Sequence, residues 1–380
     1  MAIDLSVLDA DQRVAAEAPR GPVCILAGAG TGKTRTITYR IANLIDRGQV
    51  APNRVLAVTF TKRAAGEMRA RLRSLGIGGG DGQPGVQAVT FHAAAMRQLR
   101  YFWPRAIGDT RWELLDNKFP VIGRAARDCD LRPETDTIRD LLSEIDWAKA
   151  SLVTPETYAK AVEDAGRTAP MAPGTVADVY AAYERRKTDQ DGNRLLDFDD
   201  LILLPTLLLQ RNEEVRERWQ NKIRYLLVDE YQDTNTSQYE LVKLLVGQRA
   251  RFTVVGDDDQ SIYGWRGAEV DNILRFERDF PGAKIVKLER NYRSTRHILG
   301  AASGLIAANR DRLGKTLWTE DDGGDKVRVR GVWDGEAEAR LIADEIETAR
   351  TKPGSLRQLD LHDVLDERLD RPDPMDALLR

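Results

Sequence analysis

The chain has 380 residues and is nearly balanced in charge, with 57 lysines and arginines against 60 aspartates and glutamates, a net of −3. That length allows two or three domains with a substantial core, and the balance means that any grip on a polyanion has to come from a local patch. Two cysteines, Cys24 and Cys129, exclude a disulfide framework and point to a reducing cytoplasm, while three scattered histidines, His92, His297 and His362, argue against a His/Cys metal site. The N-terminal stretch MAIDLSVLDADQ carries acids and no long apolar run, so it does not read as a signal peptide. No apolar segment approaches the length of a membrane span.

In chain order, short apolar runs predict buried strands at 23–27 (VCILA), 54–60 (RVLAVTF), 86–91 (VQAVTF), 223–229 (IRYLLVD) and 252–257 (FTVVGD). Helical patterns lie between most of them, which predicts an α/β fold whose parallel sheet is covered on both faces. The helix near 63–75 illustrates the covering, with Ala64, Met68, Leu72 and Leu75 as its apolar stripe. GIGGGDGQPG (76–85) lacks the Lys and Ser/Thr of a phosphate loop and reads as a surface connection. Residues 109–190 lack strand signals and predict a helical insertion, with Thr154-Pro155-Glu156 starting one helix and Val176, Val179, Tyr180 and Tyr183 on one face of another. A second strand–helix set follows: a strand at 283–291, a helix from about Ser294, a strand at 327–333 (VRVRGVW) and a helix from near Asp334. The tail 351–380 loses this rhythm and gains proline and charge.

Three stretches carry chemistry. AGAGTGKT (27–34) follows a predicted strand and opens a predicted helix, a setting in which backbone N–H groups turn onto phosphate oxygens. Ala27, Gly28, Ala29, Gly30, Thr31 and Gly32 supply the turn; Lys33 offers a point charge to the outer phosphates and Thr34 a hydroxyl to Mg²⁺. In LLVDEYQDTN (226–235) three acids crowd at a strand end. Asp229 suits a cation, Glu230 suits an attacking water, and Asp233 reads as a cap of the following helix. FTVVGDDDQSIYGWRGA (252–268) ends another strand: Gln260 can reach a terminal phosphate, and Tyr263, Trp265 and Arg266 offer flat surfaces to unpaired bases.

LDADQ, AGAGTGKT, VTFTKRAAGEMRARL, VTFHAAAMRQL, LDFDDL, LLVDEYQDTN, VVGDDDQSIYGWRGA and LERNYRST occur in one order. That series resembles the UvrD/Rep/PcrA group of superfamily 1 DNA helicases over roughly residues 8–300. The resemblance implies two RecA-like P-loop domains around an ATP cleft, helical insertions, and 3′–5′ movement on single-stranded DNA. It assigns Gln12 to adenine reading, Arg35 to the nucleotide's surroundings, Tyr292 to adenine stacking and Arg293 to the γ-phosphate. It assigns Phe60, Phe91 and His92 to the single-strand track; without it, Phe60 and Phe91 read as core residues at strand ends. By spacing alone NYRST is a strand end with Ser294 as N-cap, and the acids of LDFDD (196–200) are explained equally well as a helix start.

The expected plan is a first RecA-like domain at 1–108 and 191–277, a helical insertion at 109–190, a partial second RecA-like domain at 278–350 and a charged tail at 351–380. Two later family segments, one reading like TIHxAKGLE and one supplying a second phosphate-contacting arginine, have no counterpart in these residues. The expectation is therefore an ATP- and Mg²⁺-dependent DNA helicase of repair or replication, shortened and poorly active alone, with proteins of those pathways as partners. The alternatives are a non-catalytic DNA-binding or regulatory module and the helicase subunit of a helicase–nuclease machine.

Overall fold

A computed structural model of the chain describes residues 3–77, 85–106, 108–189, 191–264, 267–310 and 312–351. Most of the glycine-rich connection, Trp265, Arg266 and nearly all of the tail lie outside the described residues. Among the described residues there are eight strands: β1 (Pro22–Ala27), β2 (Val55–Thr59), β3 (Gln87–Thr90), β4 (Trp112–Leu114), β5 (Arg194–Leu196), β6 (Tyr225–Val228), β7 (Phe252–Gly256) and β8 (Lys284–Leu288). Six form one parallel sheet in the order β3-β2-β6-β7-β1-β8.

Side chains alternate across a strand, so each run feeds two cores. Cys24, Leu26, Leu56, Val58, Leu226, Val228, Phe252 and Val254 pack into one face. Val23, Ile25, Val55, Ala57, Tyr225, Leu227 and Val255 pack into the other. Burial on both faces is why the strands read as continuous apolar runs rather than as alternation. The helix Lys62–Ser74 is capped by Thr61, whose hydroxyl accepts from the Ala64 N–H at 3.1 Å. It buries Ala65, Met68 and Leu72, so its contact stripe is rotated from the predicted one, and Ala64 and Leu75 lie at its flanks. Phe91 begins the helix Phe91–Ala106 rather than ending β3.

The predicted insertion is helical: Phe119–Asp128, Thr135–Ala150, Tyr158–Asp164 and Pro173–Arg186 enclose a separate core that includes Val176, Val179, Tyr180 and Tyr183. It is not strand-free, because β4 pairs in parallel with β5; three residues were too short a run to signal a strand. The LDFDD acids start a helix and also do more. Asp197 and Asp200 accept each other's backbone N–H at 3.0 Å. Both also bind the fully buried ammonium of Lys149, at 2.6 and 2.7 Å, and that of Lys187, at 3.3 and 2.6 Å.

β8, expected to open a second domain, is instead the edge strand of the first sheet beside β1. The first compact unit continues to Gly324, and a second begins at Asp325. In that second unit the helix Gly335–Thr351 forms as expected, with Glu336 and Glu338 early and Arg350 late. Residues 327–333 form no strand: no described strand pairs with them, and Val329 and Trp333 stand 92% and 100% exposed. No helix among the described residues is long and apolar enough to cross a membrane.

Removing one partner of a buried ion cluster strands the others. Lys149→Ala is expected to destabilise the fold by about 3–5 kcal/mol in urea unfolding; a change under about 1 kcal/mol would mean the cluster carries no such weight.

Candidate nucleotide site and adjoining groove

Parallel strands leave their carboxyl ends on one edge, where loops meet helix N-termini. At the end of β1 the chain turns through residues 28–32 into the helix Lys33–Asp46. Gly30 and Gly32 hold φ of 75° and 80°, a region L side chains avoid. A Cβ at Gly28 would collide with Leu317, and one at Gly30 with Asn291 and Arg293. The first-turn N–H groups of this helix lack intrahelical acceptors and carry the positive end of its dipole, so they suit an anion.

β6 lies two strands from β1 and ends in the acid pair. Asp229 is 6% exposed and its backbone N–H donates to Val58 O at 2.9 Å. Burial first, and the charge of Glu230 second, push its carboxyl up to about 7. Glu230 adopts a left-handed backbone, φ 50°, a strained state for a glutamate worth about 1–3 kcal/mol. Its carboxylate meets Lys33 Nζ at 2.8 Å and accepts from Gln232 Nε2 at 3.1 Å. Asp233 does not cap the next helix. Asn235 does, in a reciprocal pair with Gln238, because it stands directly before the helical turn. Burial raises Asp233 to about 6, and its Oδ1 has no partner.

The turn after β7 is wired to the acid pair. Gln232 Oε1 accepts from the Asp257 N–H at 3.0 Å, and Gln260 Nε2 donates to Asp257 Oδ2. Asp257, Asp258 and Asp259 converge on Lys315 Nζ at 2.5, 2.8 and 2.8 Å, and Arg312 adds two hydrogen bonds to Asp259 at 2.8 and 2.6 Å. These cations occupy the place where three clustered acids would otherwise suit a metal. Burial opposes the charge on Lys315, yet the three carboxylates hold its pKa above the usual range.

On the opposite wall, Asn291 Nδ2 donates to Ala29 O at 2.5 Å while its Oδ1 accepts from the N–H groups of Arg293 and Ser294. Thr295, not Ser294, is the N-cap of the helix Arg296–Ile306, because the helical ladder begins at the Thr295 carbonyl, which accepts from the Leu299 N–H at 3.0 Å. The Tyr292 N–H donates to Gly30 O at 2.9 Å and its hydroxyl donates to Asp9. Asp9 in turn caps the first helix through the Gln12 N–H, and Gln12 Nε2 donates to Thr31 O at 3.0 Å.

A cavity of about 620 Å³ results, lined by Gln12, Ala29, Gly30, Gly32, Lys33, Thr34, Arg35, Arg71, Glu230, Gln260, Tyr292 and Arg293. Beside it lies a groove of about 670 Å³, lined by Phe60, Thr61, Glu230, Gln232, Asp233, Asn235, Gln238, Asp259, Gln260, Ile262, Tyr263 and Ala268. Glu230 and Gln260 line both. Ala27, Gly28 and Thr31 sit beneath the cavity as the loop's support; Thr31 Oγ1 donates to Gly28 O at 2.8 Å. Of the proposed track residues, Phe60 and Tyr263 reach the groove. Phe91 is 4% exposed, its ring 5.6 Å from that of Phe60, so it supports the groove from the core rather than facing it. His92 packs edge-on against Phe198, away from the groove lining. Trp265 and Arg266 lie outside the described residues.

Sequence reasoning missed Asp9, Arg71, Asn291 and Lys315. Asp9 and Asn291 stand within quoted motifs, LDADQ and LERNYRST, where a short polar side chain beside a turn was the available signal. Arg71 stands within a third quoted motif, VTFTKRAAGEMRARL, and was passed over there, whereas Lys315 acts across a long separation and left no signal.

The donor set fits a divalent cation: Thr34 supplies a hydroxyl in the cavity, and Asp229 a carboxylate that burial disfavours as a bare anion and that a cation would relieve. Because folding raises this carboxyl above its ordinary 3.8, the folded chain binds the proton more tightly, and stability falls as pH rises from about 4 to about 7. Asp229→Asn is expected to raise nucleotide-free stability at about pH 8 by about 1–4 kcal/mol, with the gain gone below about pH 4. A gain independent of pH, or a loss at about pH 8, would contradict the burial account.

Comparison with known proteins agrees with this geometry. The UvrD/REP helicase N-terminal domain matches residues 8–281, and the UvrD-like helicase C-terminal domain matches residues 286–360, beyond the roughly 8–300 over which the resemblance was read and into the charged tail. ATP-dependent DNA helicase UvrD2 of Mycobacterium tuberculosis is 51% identical over 326 residues, 85% of this chain and 45% of the relative. ATP-dependent DNA helicase Rep of Escherichia coli is 44% identical over 341 residues, 89% of this chain and 49% of the relative. ATP-dependent DNA helicase PcrA of Staphylococcus epidermidis is 41% identical over 341 residues, 89% and 45%. The chain thus spans about half the length of these curated relatives. With the N-terminal domain matched across most of its residues, the chain belongs to the UvrD/REP helicase family.

Proposed function

We propose that the chain is the ATP-binding motor part of a DNA helicase that moves 3′ to 5′ along single-stranded DNA. One observation carries the reading: Glu230 and Gln260 form a common wall between the cavity at the phosphate-type loop and the aromatic groove beside it. A change at a bound γ-phosphate therefore has a two-residue route to the groove.

In this reading Gln12, Arg35 and Tyr292 take the adenine and its surroundings, and backbone N–H groups of 28–33 take the phosphates. Lys33, Gln260 and Arg293 face the γ-phosphate, a placement supported by their joint lining of the cavity. Thr34 and Asp229 would hold Mg²⁺, which when bound would supply charge neutralisation between the phosphates. A triphosphate competes with Glu230 for the Lys33 ammonium, and the released carboxylate is then placed to accept a proton from water. Phe60 and Tyr263 offer base-stacking surface, each such contact worth about 1–3 kcal/mol. Trp265, Arg266, Phe91 and His92 keep their proposed track roles from the family resemblance alone. Residues 1–108 with 191–288 act as the first motor domain, 109–190 as its insertion, and the residues after β8 to about 350 as part of a second. Low turnover by this chain alone is part of the proposal, supported by the 327–333 segment, which pairs with no described strand. Proteins of repair or replication are the proposed partners.

Glu230→Gln keeps the shape of the wall and removes the base. It is expected to lower single-strand-stimulated ATP turnover by about 10²-fold or more while leaving nucleotide affinity within a few-fold of wild type. Equal turnover in wild type and variant, measured as steady-state phosphate release, would point to a non-catalytic DNA-binding module.

A further inference from the structure

The opposite edge of the same sheet carries a feature that the nucleotide chemistry does not use. Each of its four central strands is entered through an arginine: Arg54 directly precedes β2, Arg224 precedes β6, Arg251 precedes β7, and Arg20 stands two residues before β1. The strands are parallel and in register at this edge, with Val55 opposite Tyr225, Leu226 opposite Phe252, and Phe252 opposite Pro22. These pairings set Arg54 level with Arg224, Arg251 one residue further in beside Tyr225 and Gly21, and Arg20 just before Gly21, so the four arginines form an uneven row along this edge. Arg249 adds a fifth guanidinium: its Nη2 donates to Asn221 Oδ1 at 3.1 Å, beside Arg54, whose Nη1 donates to Asn221 O at 2.9 Å.

Among the described residues none of the five makes an ion pair with a carboxylate; Arg20 donates to the Gln49 carbonyl. Burial, followed by the charges of Arg249, Arg54 and Arg251, holds Arg224 below its ordinary pKa; burial, followed by Arg20 and Arg249, does the same to Arg251. In a chain with 60 acids against 57 bases, five convergent arginines without one acid are not an average surface. Arg54 and Arg249 are exposed and the other three half-buried, so the guanidinium edges are open to a ligand.

The shape of the row selects among polyanions. Three inter-strand spacings of about 4.8 Å give it a span of about 14 Å, close to the roughly 12 Å major-groove width of duplex DNA. No exposed large apolar side chain lies in the segments 18–22, 49–54, 221–225 or 247–252, so an acidic protein partner would find no anchor there. Arginine forks suit phosphate oxygens. β1 runs six residues, or about 20 Å, from this edge to the phosphate-type loop, so the row belongs neither to the nucleotide cavity nor to the groove.

We propose that this arginine row is a second nucleic-acid site, which binds the phosphodiester backbone of duplex DNA across a groove while the other edge of the sheet handles nucleotide and single strand. The proposal rests on the DNA-acting reading above and adds to it a contact outside the cleft, sequence-independent and salt-sensitive.

The test is equilibrium binding of the 380-residue chain to a fluorescent blunt duplex and, separately, to a single-stranded oligonucleotide, between about 50 and 200 mM salt. R54Q/R224Q/R249Q/R251Q is expected to flatten the duplex salt slope by about 3.6 and to weaken duplex affinity at least about 10-fold at the lower salt, with single-strand and nucleotide affinity kept. The matching lysine variant, R54K/R224K/R249K/R251K, keeps the slope because the charge is kept. Should the quadruple glutamine variant fail to fold, R54Q and R249Q, both at exposed positions, are each expected to flatten the slope by about 1. An unchanged duplex slope, or a loss confined to the single strand, overturns the second site alone. A wild-type chain that binds no DNA at all overturns the motor reading with it.

Discussion

The short contact between Lys33 and Glu230 fixes the geometry on which the rest of the site depends. It joins a loop after β1 to an acid pair after β6, 197 residues later, across the carboxyl edge of the sheet. Neither charge sits there cheaply. Lys33 projects from a helix N-terminus, where the dipole disfavours a cation, and Glu230 holds a left-handed backbone beside a buried Asp229. Each relieves the other, and each would be relieved better by a group with both negative oxygens and a metal. A metal–triphosphate has that composition, which is why crowded acids and a crowded glycine loop belong to one physical problem.

Precision at that edge comes from segments distant in sequence. Asn291 ties the loop after β8 to Ala29, Tyr292 ties it to Gly30, and Leu317 fills the space over Gly28. The same 312–318 segment carries Arg312 and Lys315 onto the triple aspartate next to Gln260. One stretch of chain thus braces the phosphate-type loop from behind and neutralises the turn that bears Gln260. Networks of this kind are costly when broken and rigid when complete. A side chain held within a few tenths of an ångström by two or three bonds is what a phosphate-reading site requires.

Much of this was legible in the chain because local physics decides it. Strands buried on both faces announce themselves as apolar β-branched runs, and a strand–glycine loop–helix with Lys and Thr has few other uses. What stayed hidden has physical reasons. β4 and β5 are three residues each and exist only by pairing with one another. The 327–333 segment has strand composition, but β-propensity needs a neighbour to become a strand, and none is described. Phe91 read as a core residue at a strand end from its spacing and as a track ring from the resemblance; the helix that starts there keeps it in the core behind Phe60. Asp233 lost the capping role to Asn235 because the chain makes one more turn before the helix begins. Lys149, Lys315 and Asn291 are decided by partners tens to hundreds of residues away, which periodicity cannot see.

The most direct measurement is a crystal structure of the chain with Mg²⁺ and a non-hydrolysable ATP analogue. The account predicts β- and γ-phosphates held by the N–H groups of residues 28–33, Lys33 moved from Glu230 to phosphate oxygen, and the metal bound by the Thr34 hydroxyl with Asp229 coordinated directly or through water. Nucleotide bound elsewhere, or a metal with neither Thr34 nor Asp229 in its coordination or its water shell, would contradict it.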